Sequence, residues 1–265
     1  MGASPAEDRD LLIEAGLAAG EIALERFRGR FDVSEKPGGL GPVTDADLAV
    51  DRRLRERLGA ARPDYGWLSE ETDDDPARLD AERVFVVDPI DGTRAFIAGE
   101  KGWGVALAVV SAGRVTAATV VLPARGEVYA AALGQGATLD GAALAPGDGA
   151  GLPGASVLAA RPAFEARHWR LGVPEVARSF RTALAWRLCL AASGRFDAVV
   201  TLRGSFEWDV AAGALIAAEA GLAVTDARGG ALSFNRAEPR LDGVIAAPPS
   251  LHAALMARRG LGPRL

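Results

Sequence analysis

The stretch 84-VFVVDPIDGTRAF-96 decides how this chain is read. An apolar run, Val84–Val87, ends in two aspartates three residues apart, with Pro89 between them and Gly92-Thr93 behind. The run predicts a buried strand. Pro89 fixes the backbone after it and bars helical continuation there. Gly92 and Thr93 then open a helix. Asp88 and Asp91 are thereby set at the carboxyl end of a strand, beside free N–H groups. Two close carboxylates repel each other, so the arrangement calls for positive charge. Carboxylate oxygens suit Mg²⁺, a hard cation usually held by a few carboxylates together with substrate phosphate oxygens. A helix start suits the phosphate. The plainer alternative is a turn in which Asp88 is a cap.

Outward from this point, the N-terminal side reads as helical. Leu11, Ala15, Ala18 and Ile22 recur at helical spacing within Ala6–Phe27. After the loop 36-KPGGLGP-42, a second helix starts at 44-TDAD-47, with Thr44 as N-cap, Asp47 at N3 of a capping box and Val50, Leu54 and Leu58 on one face. On the C-terminal side, Val105–Val110, Val115–Leu122 and Glu127–Ala132 are strand-like runs separated by short turns, an antiparallel meander. The segment 134-GQGATLDGAALAPGDGAGLPGA-155 is rich in Gly, Pro and Ala. It is read as a connection between an N-terminal α+β subdomain, residues 1–140, and a C-terminal α/β subdomain, residues 155–265. The second part alternates: a strand near Val157–Ala160, a helix near Trp186–Ser193, a strand Ala198–Leu202, a helix Val210–Ala220 and a strand near Val244–Ala247. This is α/β layering.

Four further acids stand near such elements. Glu70 and Glu71 precede the strand, in an acidic loop that by itself reads as solvated. Asp47 by itself reads as a helix cap. In 207-EWDVAAGALIAAEAG-221, Asp209 stands at the start of an almost wholly apolar helix, where the helix dipole favours an acid anyway. Each local account suffices alone; none explains so many acids beside small, buried, apolar elements. Two isolated histidines and one cysteine exclude a Cys/His zinc site. No G-x-S-x-G elbow and no Walker loop is present. Oxygen-bound metal chemistry remains.

The totals narrow the class. The chain has 265 residues, 49% of them hydrophobic, and a net charge of −5 without a basic block. That affords a sizeable core and argues against nucleic acid or an anionic membrane as the main partner. The single cysteine, Cys189, excludes an internal disulfide. No signal-like stretch and no apolar run near the ~20 residues of a membrane span appears, so a cytoplasmic location is expected.

Three signatures, 70-EE-71, 88-DPIDGT-93 and 207-EWDVAAGALIAAEAG-221, with 43-VTDAD-47 ahead of them, resemble the inositol monophosphatase family of Mg²⁺-dependent, lithium-sensitive phosphomonoesterases. The resemblance implies a layered αβαβα sandwich of the inositol monophosphatase and fructose-1,6-bisphosphatase type, and two or three Mg²⁺ ions. Glu70, Asp88 and the Ile90 carbonyl would hold one ion; Asp88, Asp91 and Asp209 a second; a third would sit near Glu70. Asp47 and Thr93 would orient the attacking water, and the N–H groups of Gly92 and Thr93 would hold the phosphate. The chemistry implied is in-line attack by metal-activated water. Inhibition by Li⁺ and a homodimer are implied as well.

The stretch 182-TALAWRLC-189 departs from the family, which often has Gly-Ser followed by Leu-Lys there; Arg187 stands in place of the Lys. Selectivity is expected from Glu207, facing a substrate hydroxyl or amine, and from Arg94, Arg187 and Arg203, meeting a second phosphate. The spellings DGT-R-x-F-I and Glu-Trp-Asp lean toward 3′(2′),5′-bisphosphate nucleotidases, with inositol monophosphate a further substrate and histidinol phosphate the alternative. Two other classes fit the sequence less well. A haloacid-dehalogenase-type phosphatase needs D-x-D-G-T, whereas the spacing here is D-x-x-D-G-T. A regulatory binding protein needs an exposed basic or apolar face, and none is evident.

Overall fold

The computed structural model describes residues 2–39, 41–149 and 151–259. Six α-helices occur among them: α1 Pro5–Arg28, α2 Asp45–Ala61, α3 Thr93–Ile97, α4 Leu184–Ala192, α5 Glu207–Glu219 and α6 Pro249–Arg258. The first two start as the sequence requires. Ser4 and Thr44 are N-caps, each in a capping box closed by Glu7 and Asp47.

The meander forms as expected. A seven-stranded sheet runs in chain order through Gly66–Ser69, Arg83–Asp91, Gly104–Ser111, Arg114–Leu122, Glu127–Ala132, Ala137–Leu139 and Ala142–Ala143. Its first pair is parallel and the others antiparallel. The last two strands lie inside the Gly-, Pro- and Ala-rich segment read as the connection between subdomains. Their sequence is too small and Gly-punctuated to show a strand pattern, and pairing with Glu127–Ala132 supplies the order. A five-stranded sheet has the order Ala177–Ser179, Ser156–Leu158, Ala198–Thr201, Val244–Ala247, Ala223–Thr225. The expected second subdomain extends to residue 265, and 260–265 lie outside the described residues.

Burial sorts the elements into layers. Phe85, Val87, Leu107 and Val109 of the large sheet pack with Leu12, Ala19, Leu54 and Leu58 of α1 and α2. The alternate residues Val84, Val86, Ala106 and Ala108 face the other way, onto α4 and α5, which also cover Leu158, Val199 and Ala246 of the small sheet. The opposite face of that sheet, with Val157, Val200 and Ile245, packs on Leu251 and Leu255 of α6. The result is α1/α2, sheet, α4/α5, sheet, α6: the αβαβα sandwich. Period-two alternation with both faces covered is why the strands read as unbroken apolar runs. The helices α4 and α5 lie between two sheets, which accounts for helices apolar all round. They also approach closely: a Cβ at Gly213 would lie 2.7 Å from Cβ of Leu188. Among the described residues, no helix is long and apolar enough to cross a membrane.

Candidate active site

The strand Arg83–Asp91 carries both aspartates rather than stopping before them. Asp88 pairs with Ala106 and Asp91 with Gly104, with a register shift between the two pairs. A bulge at Pro89-Ile90 lets both carboxylates share a site instead of alternating across the sheet. Gly92 follows at φ 95° and caps α3. It has no room for a side chain, because a Cβ there would lie 2.9 Å from the Gly102 carbonyl oxygen.

Asp88, Asp91 and Asp209 converge, with one carboxylate oxygen of each within 4.8 Å of the others. Different elements hold them. Asp91 accepts from the backbone N–H groups of Leu184 and Ala185 at 3.0 and 2.7 Å, which open α4. Asp209, at the third position of α5, accepts from Phe206 N–H at 3.2 Å. Asp88 is 1% exposed, and neither of its oxygens has a hydrogen-bond partner among the described residues. A buried, unpartnered carboxylate is costly unless a cation satisfies it. Burial, then Glu70, Asp91 and Asp209, push Asp88 far above the usual carboxylate range. Asp91 is raised to about 8 by burial and then by Asp209, against the two N–H groups it accepts from. Asp209 is raised to about 7 by burial and then by Glu70. Three acids that resist ionising together in an all-oxygen pocket fit a hard divalent cation.

Glu70 and Glu71 stand beside this centre. Lys36 Nζ bridges them, 2.6 Å from an oxygen of each. Burial would depress the Lys36 ammonium, but the two glutamates outweigh it and hold it above its usual value. Glu71 is raised to about 7 by burial and then by Glu70. By sequence Lys36 is a loop residue, and a lone Lys before Pro-Gly-Gly carries no local sign of a buried ion pair.

Asp47 and Thr93 are brought together, with the Thr93 hydroxyl 3.2 Å from Asp47 Oδ1 and 3.1 Å from the Ile90 carbonyl oxygen. Asp47 also accepts from the Thr44 backbone N–H at 2.8 Å and from the Thr44 hydroxyl. Burial outweighs these bonds and raises Asp47.

Arg94, Arg187 and Arg203 line one cavity of about 460 Å³, together with Arg167, His168 and Phe180. Arg187 is 3% exposed, so it is not a surface charge. Its Nε has no hydrogen-bond partner among the described residues. Among the described residues, its terminal nitrogens reach the Thr201 hydroxyl and the Thr182 carbonyl, at 3.5 and 3.4 Å. Burial pushes its pKa down to about 10, although Asp91 opposes this. Arg187 also lies over the Phe180 ring, 5.2 Å from its centroid.

Glu207 does not face the cavity. It is fully buried and accepts from the backbone N–H groups of Asn235 and Arg236 at 2.6 and 3.0 Å. The expectation that it meets a substrate hydroxyl or amine is corrected here. At the first turn of α5, Glu207 and Asp209 point to different sides, because residues two apart on a helix do not share a face.

Comparison with known proteins agrees with this geometry. The profile of the inositol monophosphatase family matches residues 5–260. The chain is 35% identical to a 3′-phosphoadenosine 5′-phosphate phosphatase of Mycobacterium leprae, covering 88% of this chain and 86% of that one. It is 30% identical to a histidinol-phosphatase of Chlorobaculum parvum, covering 97% and 98%. Among solved structures, a Thermotoga maritima IMPase superposes with a TM-score of 0.82 at 26% identity, covering 96% and 97%. The chain is thus a phosphomonoester hydrolase acting on a small phosphate ester, and it belongs to the inositol monophosphatase family.

Proposed function

We propose that the protein hydrolyses a 3′(2′),5′-bisphosphate nucleotide, releasing one phosphate with the help of Mg²⁺. Asp88, Asp91 and Asp209, with Glu70 and the Ile90 carbonyl, are the residues that would hold two or three ions. The observation that carries this reading is Asp88, fully buried with both oxygens lacking a hydrogen-bond partner among the described residues. Bound there, Mg²⁺ supplies Lewis-acid polarisation of the phosphate and a lowered pKa for water. The chain's own groups do the rest. Thr93 Oγ1 and Asp47 Oδ1, 3.2 Å apart, form a pair that orients the attacking water and takes its proton. The backbone N–H groups of Gly92 and Thr93 hold the phosphate.

The substrate preference rests on Arg94, Arg187 and Arg203 around the 460 Å³ cavity, which suit a second anionic group. Phe180, 46% exposed with Arg187 over one face, offers its other face to a nucleobase. A relative named for action on 3′-phosphoadenosine 5′-phosphate supports the same choice. Inositol monophosphate is a further substrate under this reading. The likeness to a histidinol-phosphatase over nearly the whole chain favours histidinol phosphate as the second reading. Inhibition by Li⁺, a homodimer, a cytoplasmic location and the division into subdomains 1–140 and 155–265 complete the proposal.

The test is phosphate release, with and without Mg²⁺, from adenosine 3′,5′-bisphosphate, inositol 1-phosphate, histidinol phosphate and fructose 1,6-bisphosphate. Mg²⁺-dependent preference for the first supports the proposal. Preference for histidinol phosphate replaces the substrate and keeps the centre. Metal-independent release from any of them overturns the centre.

A further inference from the structure

The acids of the site come from adjacent layers of the sandwich. Glu70 and Glu71 lie on the bend after the strand Gly66–Ser69, and Asp209 opens α5. Their like charges push these two elements apart, so something must hold them in place before any cation arrives. Part of the Glu70 bend is tied to its own half: Ser69 and Thr72 donate to Asp51 of α2 at 2.5 and 2.6 Å. Other bonds cross to the α5 side.

Arg78 makes that crossing. It is 2% exposed. It grips Asp74, four residues beyond Glu70, through Nε and Nη2 at 2.6 and 2.9 Å. From the same guanidinium, Nη1 donates to Asn235 Oδ1 at 2.6 Å and Nη2 to the Arg236 carbonyl at 3.0 Å. Asn235 returns a bond from Nδ2 to the Arg78 carbonyl at 3.3 Å. The backbone N–H groups of Asn235 and Arg236 then donate to Glu207, two residues before Asp209. Asn235 holds φ 57°, a left-handed conformation that asparagine tolerates and most side chains avoid. An arginine fork with this many bonds in a buried setting is rigid in a way that a single contact is not.

We propose that Arg78, Asn235 and Glu207 form a positioning strut that fixes the Glu70 bend against the start of α5, and so sets the spacing of the cation ligands across the site. The inference rests on the reading of that site as a divalent-cation centre. None of the three touches substrate; each acts through the acids it places. Glu207 has its role here, as the acceptor that ties Asn235 and Arg236 to the start of α5.

The test is Mn²⁺ binding by calorimetry on the intact chain, with the metal-free melting temperature measured beside it. Asn235→Gly keeps the left-handed backbone and deletes only the side-chain link. It is expected to weaken Mn²⁺ binding roughly tenfold or more, the range seen when partners of metal ligands are removed. Asn235→Asp keeps an acceptor for Arg78 Nη1 and restores binding to near the wild-type value. Arg78→Lys loses the fork and weakens binding at least as far as Asn235→Gly; should it not fold, the Asn235 pair decides. A purely structural role lowers the melting temperature of Asn235→Gly while its Mn²⁺ constant stays at the wild-type value, and that result overturns the strut. A wild-type chain that binds no Mn²⁺ overturns the cation centre itself, and the strut with it.

Discussion

The acidic centre and the arginine cavity lie side by side but are built differently. Three acids of the centre are locked to backbone: Asp91 to Leu184 and Ala185, Asp209 to Phe206, Asp47 to Thr44; Asp88 is held by the paired strand that carries it. The arginines come from α3, α4 and the segment after a strand, and Arg187 has only long contacts. Groups locked to backbone hold their places without a ligand. Long cationic side chains with loose partners take final positions around what they bind. The first arrangement suits chemistry common to a family; the second suits selectivity that differs within it.

The hardest test of that contrast is Asp209→Asn. It should reduce Mg²⁺-dependent phosphate release at least ~1,000-fold, about 4 kcal/mol of transition-state stabilisation. It should also raise the melting temperature of the metal-free chain, because one repelling charge is gone. An active Asp209→Asn enzyme with unchanged Mg²⁺ dependence would contradict the assignment. Next comes Arg187→Met. Losing a hydrogen bond to a charged group costs about 1.5–3 kcal/mol, so kcat/KM for a bisphosphate should fall roughly 10- to 100-fold. Release from a substrate with one phosphate should change far less. Stability should hold or rise, since an incompletely paired buried cation is removed. Equal losses on both substrates would move Arg187 from selectivity to structure.

A smaller effect separates the centre from the rest of the chain by pH. Asp91 and Asp209 sit near 8 and 7 when folded, against 3.8 for an ordinary Asp. The metal-free folded state therefore binds more protons than the unfolded one between these values. Thermal stability of the metal-free chain should fall as pH rises from about 4 to about 8. Saturating Mg²⁺ should flatten that slope, and a slope that survives Mg²⁺ would show that it arises elsewhere. The smallest effect comes from His252 of α6, 2.8 Å from the Thr225 hydroxyl. Burial holds it below 6.5. The unfolded state takes up its proton first, so a modest loss of stability should appear as pH falls below 6.5. His252→Gln should remove that loss without changing phosphate release.

Helix α5 shows how far the chain could be read. Its apolar run announces a buried helix, and the family signature marks Asp209 at its start as a candidate metal ligand. Glu207, two residues earlier, has the same chemistry and the opposite fate, bound to Asn235 and Arg236. Lys36 was invisible for a similar reason, because its partners Glu70 and Glu71 lie more than thirty residues away.

What the sequence by itself determined is what local physics controls. Capping boxes started α1 and α2, apolar runs with turn residues between them made the meander, and the DPIDGT hexapeptide placed two aspartates at a strand end. Those features depend on neighbours a few residues apart. Only the tertiary structure decided which acids meet, that Arg187 is buried, and that Arg78 reaches Asn235 across 157 residues of chain. Such contacts follow from how the layers stack, and no local pattern encodes a partner on another layer.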